Sequence, residues 1–428
     1  MTQSEAMEFI QSAGWLGCRP GLKRITDLME RLGNPQKELR YVHITGTNGK
    51  GSTAAMLSSI LQQAGYRVGL FTSPHLRLYN ERIQINGWMI SDQDLCAAAE
   101  AVKAASDRMA HSPTEFERFT AMALLHFQQK NCDIVVLEVG LGGSLDSTNV
   151  IPAPEAAVIT QIGLEHTEYL GSTLEEIAAT KAGIIKPGCD TVLCAQSQSV
   201  EAVVGARCTA CGSPLHLTAP ARLQHCVYTL QGQQFDYRQR ENLHLGLLGT
   251  YQSSNAAVVL DTVDALRGRG WDIPEPAIRQ GLSAAVWPGR FEKMQDAPLV
   301  FLDGAHNPNG VEALVRCLRT YLPGRKVTFV MGVMADKDYG AMLERIGPLA
   351  QRFITVTPDC IRAMPSGQLR SEILARFSLP VRSAANVESG ISLALKTCRE
   401  TDVICIFGSL YQAGPAREFF QGRGKPPV

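Results

Sequence analysis

One short stretch constrains the fold more than any other. Ile44-Thr45-Gly46-Thr47-Asn48-Gly49-Lys50-Gly51-Ser52 lies between a strand signal and a helix signal. Residues 41–45, Tyr-Val-His-Ile-Thr, have the β-branched and aromatic content of a strand. Residues 52–64 place Met56, Leu57, Ile60 and Leu61 on one helical face, and Gly65 stands where that helix ends. A strand that enters a helix through glycines gathers backbone N–H groups at the positive end of the helix dipole, a natural anion site. Thr47, Asn48, Gly49 and Gly51 then form a phosphate cradle. Lys50 can reach terminal phosphates, and the Ser52 hydroxyl can bind Mg²⁺. The G-x-x-x-x-G-K-[ST] spacing is not met: its first glycine falls on Ile44, and Gly51 separates Lys50 from Ser52. The competing reading is a glycine-rich turn with a surface lysine; the strand–loop–helix context favours phosphate.

The rest of the chain repeats the alternation of strand and helix, which predicts an α/β fold with a parallel sheet. Strands are expected over 67–72, 133–139 and 156–162, and helices over 116–129, 173–185 and 253–266. Asn86-Gly87 signals a hairpin within 81–90. Ser91 with Asp94 resembles a capping box opening a helix through 105. Polar alternation over 218–248 reads as hairpins. A boundary is expected near Trp287-Pro288-Gly289, giving domains 1–287 and 288–428. In the second, strands are expected over 298–302, 326–331, 353–357 and 402–407, a smaller Rossmann-like α/β unit. Residues 422–428 read as a loose tail.

Composition excludes several classes. The 41 basic and 41 acidic residues balance, unlike the strong positive charge of most nucleic-acid-binding domains. No apolar run approaches a membrane span, and the N-terminus lacks the basic-then-apolar order of a signal peptide. Twelve cysteines in 428 residues read as reduced thiols of a cytoplasmic protein. Cys208-x-x-Cys211, with His216 nearby, lacks the second pair that a structural zinc requires.

Three side chains stand out for chemistry. Glu138 ends an otherwise apolar strand, so its carboxylate is paired, metal-bound or exposed at the strand end. His166 follows the 156–162 strand as a ligand or a capping residue. Lys181 sits among Ala178, Ala179, Ala182 and Ile184; it either snorkels to water or, if buried, loses its proton easily.

These blocks also resemble the folylpolyglutamate synthase/dihydrofolate synthase family, relatives of the Mur ligases. The resemblance runs through Gly46–Ser52, Thr72-Ser73-Pro74-His75-Leu76, Glu81-Arg82-Ile83, Glu138–Gly143 with Leu145-Asp146 and Thr148-Asn149, and His166 with Leu170-Gly171. It continues through 181–186, Gly249–Asn255, 288–292 and 303–308. It implies a Mur-ligase-like ATPase domain and a C-terminal Rossmann-like domain. It also implies ATP-dependent addition of L-glutamate to dihydropteroate or a folate through an acyl phosphate. Metal ligands would be Ser52, Ser73, Glu138, His166 and Lys181, around two Mg²⁺ ions, with Lys181 carbamylated. ATP would be held by the loop together with Asn255, Arg290, Asp303 and His306. Bland readings of the last two are a loop cap and a turn histidine. The pteridine would meet Thr114, Phe116, Asp146 and Ser147. Lys50, Lys181 and His166 would serve catalysis. A monomer with small-molecule partners only is expected.

Four positions depart from the family pattern: Ser144 in place of arginine, Ser147 in place of alanine, Glu165 in place of aspartate, and Phe407 in place of a smaller residue. The alternative within the fold, a Mur-type ligase acting on another carboxylate, would place a separate UDP-binding domain before the loop. A switch or transport ATPase would carry a Leu-Ser-Gly-Gly-Gln-type signature, which is not found.

Overall fold

The computed structural model describes residues 1–12 and 21–423. They form two compact units. One comprises Met1–His225, Phe235–His244 and Ser253–Val286; the other comprises Cys226–Gln234, Leu245–Gln252 and Trp287–Val428.

The first unit is built on an eight-stranded sheet. Its order is Trp88–Met89, Ile83–Ile85, Val68–Phe71, Ile134–Glu138, Tyr41–Thr45, Ala156–Ile159, Asp190–Cys194, Leu215–Thr218. Val68–Phe71 and all strands after it in that order pair in parallel. The other two add an antiparallel hairpin, whose two-residue turn is Asn86 and Gly87, both at positive φ. Tyr41–Thr45 and Ile134–Glu138 lie side by side at the centre and are buried along their whole length. That burial explains their continuous apolar runs. Helix Glu115–Gln129 is opened by a Thr114/Glu117 capping box, and Leu174–Ala182 by a Thr173/Glu176 box.

Three sequence expectations change. The helix predicted over 173–185 stops at Ala182 and continues as turns to Ile185. Strand Asp190–Cys194 and helix Gln198–Cys211 were not anticipated. Residues 422 and 423 belong to helix Ala413–Arg423, and the rest of the expected tail, 424–428, lies outside the described residues. Alternation over 218–248 resolves into strands Leu223–Thr229, Gly232–Tyr237 and Arg240–Leu245. Cys208 and Cys211 sit on one helix as free thiols.

The second unit has six strands in the order Glu292–Asp296, Leu299–Leu302, Val403–Phe407, Val327–Met331, Ala350–Thr355, Val381–Ser383. Only the first pairs antiparallel. The last strand in sequence inserts between the first two parallel ones. Strand order reverses there, where open α/β sheets leave a ligand crevice outside their carboxyl ends. Among the described residues, no helix is long and apolar enough to cross a membrane.

Candidate active site

The chemistry-bearing loops of the first unit leave the carboxyl ends of its central parallel strands. Strand Tyr41–Thr45 runs into residues 46–49, and helix Lys50–Gln63 follows at once. The loop path depends on two glycines. At Gly46 (φ 149°) a Cβ would stand 1.8 Å from Thr160 Oγ1; at Gly49 (φ 89°) it would stand 2.5 Å from Asn255 Oδ1. Both also adopt positive φ, which costs glycine little. Neighbouring residues pin the loop: Thr47 N donates to Gln161 O (2.8 Å), Thr160 Oγ1 to Asn48 O (2.7 Å), and Thr47 Oγ1 to Gly163 O (3.0 Å). Asn255 therefore packs directly on the phosphate loop. Ser52 is buried in the first helical turn.

Two lysines converge on one carbonyl. Lys50 Nζ donates to Gly46 O (3.0 Å) and Thr47 O (3.1 Å), and Lys181 Nζ donates to the same Gly46 O (2.8 Å). Lys181 is 3% exposed, so it does not snorkel. Burial first, and then the Lys50 charge, pull its pKa down to about 7, while Glu165 and Asp146 act the other way. The cleft beside these amines is lined by Thr47, Gly140, Gly142, Glu165 and His166. Glu165, known from the sequence only as a departure, thus faces the chemistry. His166 is exposed in a left-handed conformation (φ 51°) and stands at the N-terminus of the short helix Thr167–Leu170.

Glu138 is 3% exposed at the end of its strand, which removes the exposed reading. Its Oε2 accepts from Ser73 N at 3.0 Å. Its Cα pairs with that of Ile44, so the carboxylate lies one strand away from the chain that becomes the phosphate loop. Among the described residues, no three His, Cys, Asp or Glu side chains form a metal cluster.

Residues 140–151 form the next wall. The Phe116 ring closes over Gly140, where a Cβ would come within 2.4 Å of it, and tilts against Phe71. Asp146 accepts from Leu141 N (2.9 Å), Thr148 N (3.0 Å) and Thr148 Oγ1 (2.5 Å). Ser147 Oγ meets Thr120 Oγ1 at 2.7 Å. The Thr114 hydroxyl accepts from Glu117 N at 3.2 Å. Thr114, Asp146 and Ser147 thus hold local structure first, a role the sequence reading missed. The Asp-Ser-Thr spacing is a readable sign of a self-capped turn.

In the second unit, Asp303 is a loop cap: its carboxylate accepts from Phe291 N and Ala305 N, each at 2.8 Å. Burial raises its pKa, and the Arg290 charge opposes that rise. Gly304 admits the Arg290 side chain, since a Cβ there would stand 2.2 Å from its Nη1. His306 Nδ1 donates to Gly304 O at 2.8 Å, a turn histidine whose remaining chemistry rests on Nε2.

Fold and site together define a phosphate-loop α/β protein with an appended Rossmann-like unit. Residues 44–263 match the Mur ligase middle domain, and 289–410 match the Mur ligase, glutamate ligase domain. The folylpolyglutamate synthase of Lacticaseibacillus casei is 35% identical over 99% of each chain. The dihydrofolate synthase/folylpolyglutamate synthase of Bacillus subtilis is 36% identical over 95% of this chain and 96% of its own. The structure of Escherichia coli FolC in complex with DHPP and ADP superimposes with a TM-score of 0.86 at 29% identity, covering 99% of both chains. The chain belongs to the Mur ligase family, among its folylpolyglutamate synthase/dihydrofolate synthase members.

Proposed function

We propose that this protein joins L-glutamate to the carboxylate of dihydropteroate or a folate at the expense of ATP. The observation that carries the reading is the pair of lysines on the Gly46 carbonyl, inside a cleft walled by the 140–151 loop. The substrate carboxylate attacks the γ-phosphorus of ATP, and the γ-phosphate to ADP bond breaks. The glutamate amine then attacks the acyl phosphate carbon, loses a proton, and phosphate leaves. Lys50 turns from the Gly46 and Thr47 carbonyls to the phosphates, because a charged acceptor outcompetes neutral ones. Charge neutralisation and positioning are the main protein contributions to such transfers. Thr47, Asn48, Gly49, Gly51, Ser52 and Asn255 hold the nucleotide in the first domain, 1–287. Arg290, Asp303 and His306 are the candidate nucleotide contacts within the second, 288–428. Phe116 stacks on the pteridine, and Asp146 accepts from its N–H groups. Thr114 and Ser147 shape that subsite.

Ser52, Ser73 and Glu138 offer the hard oxygens that suit Mg²⁺, with His166 at the rim. When bound, Mg²⁺ supplies phosphate charge neutralisation. Lys181 as an amine is no magnesium ligand. Its lowered pKa suits attack on CO₂: the neutral nitrogen bonds to carbon, one proton leaves, and a carbamate results. The remaining N–H can still reach Gly46 O, and the new anion faces Lys50. We read Lys181, in this form, as a ligand of a second Mg²⁺ ion. The enzyme is read as a cytoplasmic monomer with small-molecule partners.

The test uses dihydropteroate labelled with ¹⁸O in its carboxylate, with ATP, Mg²⁺ and glutamate. One label should appear in the released phosphate. Unlabelled phosphate, with the lost carboxylate oxygen appearing in water instead, would exclude the acyl phosphate.

A further inference from the structure

His43 is an unusual residue for its place. It lies in the middle of the central strand Tyr41–Thr45, fully buried, with its Cα paired to Leu137 on one side and Ala157 on the other. Its Nε2 is 2.8 Å from Thr148 Oγ1, and that oxygen is 2.5 Å from Asp146 Oδ1. His43 Nδ1 is buried with no hydrogen-bond partner. Burial, helped by the Lys186 charge, keeps the ring neutral, with a pKa down at about 3.

A neutral ring leaves two proton arrangements. In the first, Nε2–H donates to Thr148 Oγ1, the Thr148 hydroxyl donates to Asp146, and Asp146 is an anion. In the second, a protonated Asp146 donates to Thr148, and Thr148 donates to Nε2. The ring proton then sits on Nδ1, where it has no acceptor. Orphaned buried N–H groups are rarer than orphaned acceptors, and stranding one forfeits its full hydration. The second arrangement also discharges a carboxylate that accepts from Leu141 N and Thr148 N, bonds that are stronger to an anion. The first arrangement is therefore selected, and the buried imidazole selects it. Lys181 is the charged group that interacts with Asp146 from helix Leu174–Ala182, and Lys186 the one that acts on His43.

We propose that His43 is a positioning residue for pteridine recognition: through the Thr148 hydroxyl it keeps Asp146 an anionic acceptor for the N–H groups of the substrate ring. The proposal rests on the assignment of Asp146 to the folate subsite. His43 touches no substrate and acts only through Thr148.

The experiment measures KM and kcat for dihydropteroate at saturating ATP and glutamate. His43→Leu removes the donor and should raise that KM about tenfold, with kcat and the KM for ATP little changed. His43→Gln places an amide N–H where Nε2–H was and should recover most of the loss. In the wild type, ¹⁵N spectra should show a neutral Nε2–H tautomer of His43 between about pH 6 and pH 8. A glutamine variant as impaired as the leucine variant, an equal rise in the KM for ATP, or an Nδ1–H tautomer would each overturn the relay. If His43→Leu does not fold, Thr148→Val against Thr148→Ser makes the same comparison. Asp146→Asn separates the two claims. If it leaves the KM for dihydropteroate unchanged, the folate assignment fails, and this inference with it. If it raises that KM while His43→Leu does not, only the relay is overturned.

Discussion

Residues 44–52 and residues 140–151 both leave central parallel strands of one sheet, yet they commit their polar groups in opposite ways. In the first loop, the two amines rest on the main-chain carbonyls of Gly46 and Thr47. Such contacts are easily exchanged for a phosphate. In the second, Asp146, Ser147 and Asn149 are all bound within the protein, and Lys186 Nζ ties Asn149 O and Ile151 O together. On the roles proposed above, the reacting groups are held loosely and the recognition groups tightly. That division suits an enzyme whose charge stabilisation must follow a moving phosphoryl group while its substrate ring needs a preformed wall.

Breaking the exchangeable side should have the largest effect. Lys50→Ala is expected to lower kcat by at least about a hundredfold. The thermal midpoint should barely move, because among the described residues the Lys50 amine bonds two loop carbonyls. Turnover within about tenfold of wild type in a folded variant would show that this loop does not carry the transferring phosphate.

Lys181 comes next. Its folded pKa of about 7 lies below the ordinary 10.5, so between those values the unfolded chain binds more protons. Stability from this site therefore rises with pH across that window, and below it the burial cost is paid in full. The same sign governs carbamate formation, which needs the neutral amine. A ¹³C carbamate signal from ¹³CO₂ should fade as pH drops below about 7. Activity should fall when bicarbonate is removed and return when it is restored. Lys181→Ala should be nearly inactive and partly rescued by a small carboxylic acid. An intact mass showing unmodified lysine in active, CO₂-equilibrated enzyme would refute the carbamate and leave the ligase reading standing.

What the sequence revealed follows the range of the interactions. The phosphate loop was legible because strand, glycines, lysine and helix are contiguous. The Ser91 cap, whose side chain accepts from Asp94 N, was legible because a cap spans three residues. The Lys181 contact with Gly46 crosses 135 positions and that of His43 with Thr148 crosses 105, so no local pattern announces either. Strand Asp190–Cys194 was missed because Asp190 and Thr191 dilute a short run that only its neighbours bury. Helix Gln198–Cys211 was missed because Val200, Val203, Val204 and Gly205 weaken its propensity. Thr114 and Asp303 were assigned to ligands on resemblance, whereas in the structure both first satisfy nearby backbone N–H groups.

Thr114 sharpens the contrast on the tight side. Its hydroxyl caps helix Glu115–Gln129, so Thr114→Ala should cost about 1 kcal/mol. Thr114→Asp preserves a capping oxygen and should keep the melting temperature. If the aspartate variant also keeps the KM for dihydropteroate, Thr114 acts through the helix. A raised KM at unchanged stability would mean that the hydroxyl itself meets the substrate.

The smallest expected effect belongs to Ser144, where the family usually carries arginine. Its N–H donates to Thr180 O at 2.9 Å, its carbonyl accepts from Asn149, and its Cβ sits 2.3 Å from where a Gly183 Cβ would be. The backbone is clamped, but serine already supplies the Cβ that fits against Gly183, so Ser144→Arg adds length without changing that packing. The added cation stands two residues beyond Gly142, a wall of the Lys181 cleft. Two charges about 8 Å apart interact by about 0.5 kcal/mol in water and about 2 kcal/mol at the effective dielectric of a protein surface; a solvated arginine sits at the low end of that range, enough for a change of a few-fold. Substrates differ in how many carboxylates they bring to that wall. The ratio of kcat/KM for polyglutamylated folates to that for dihydropteroate should therefore rise a few-fold, and the rise should shrink in high salt. A ratio unmoved at low salt would show that position 144 lies outside the reach of the substrate tail and that its departure from the family is neutral.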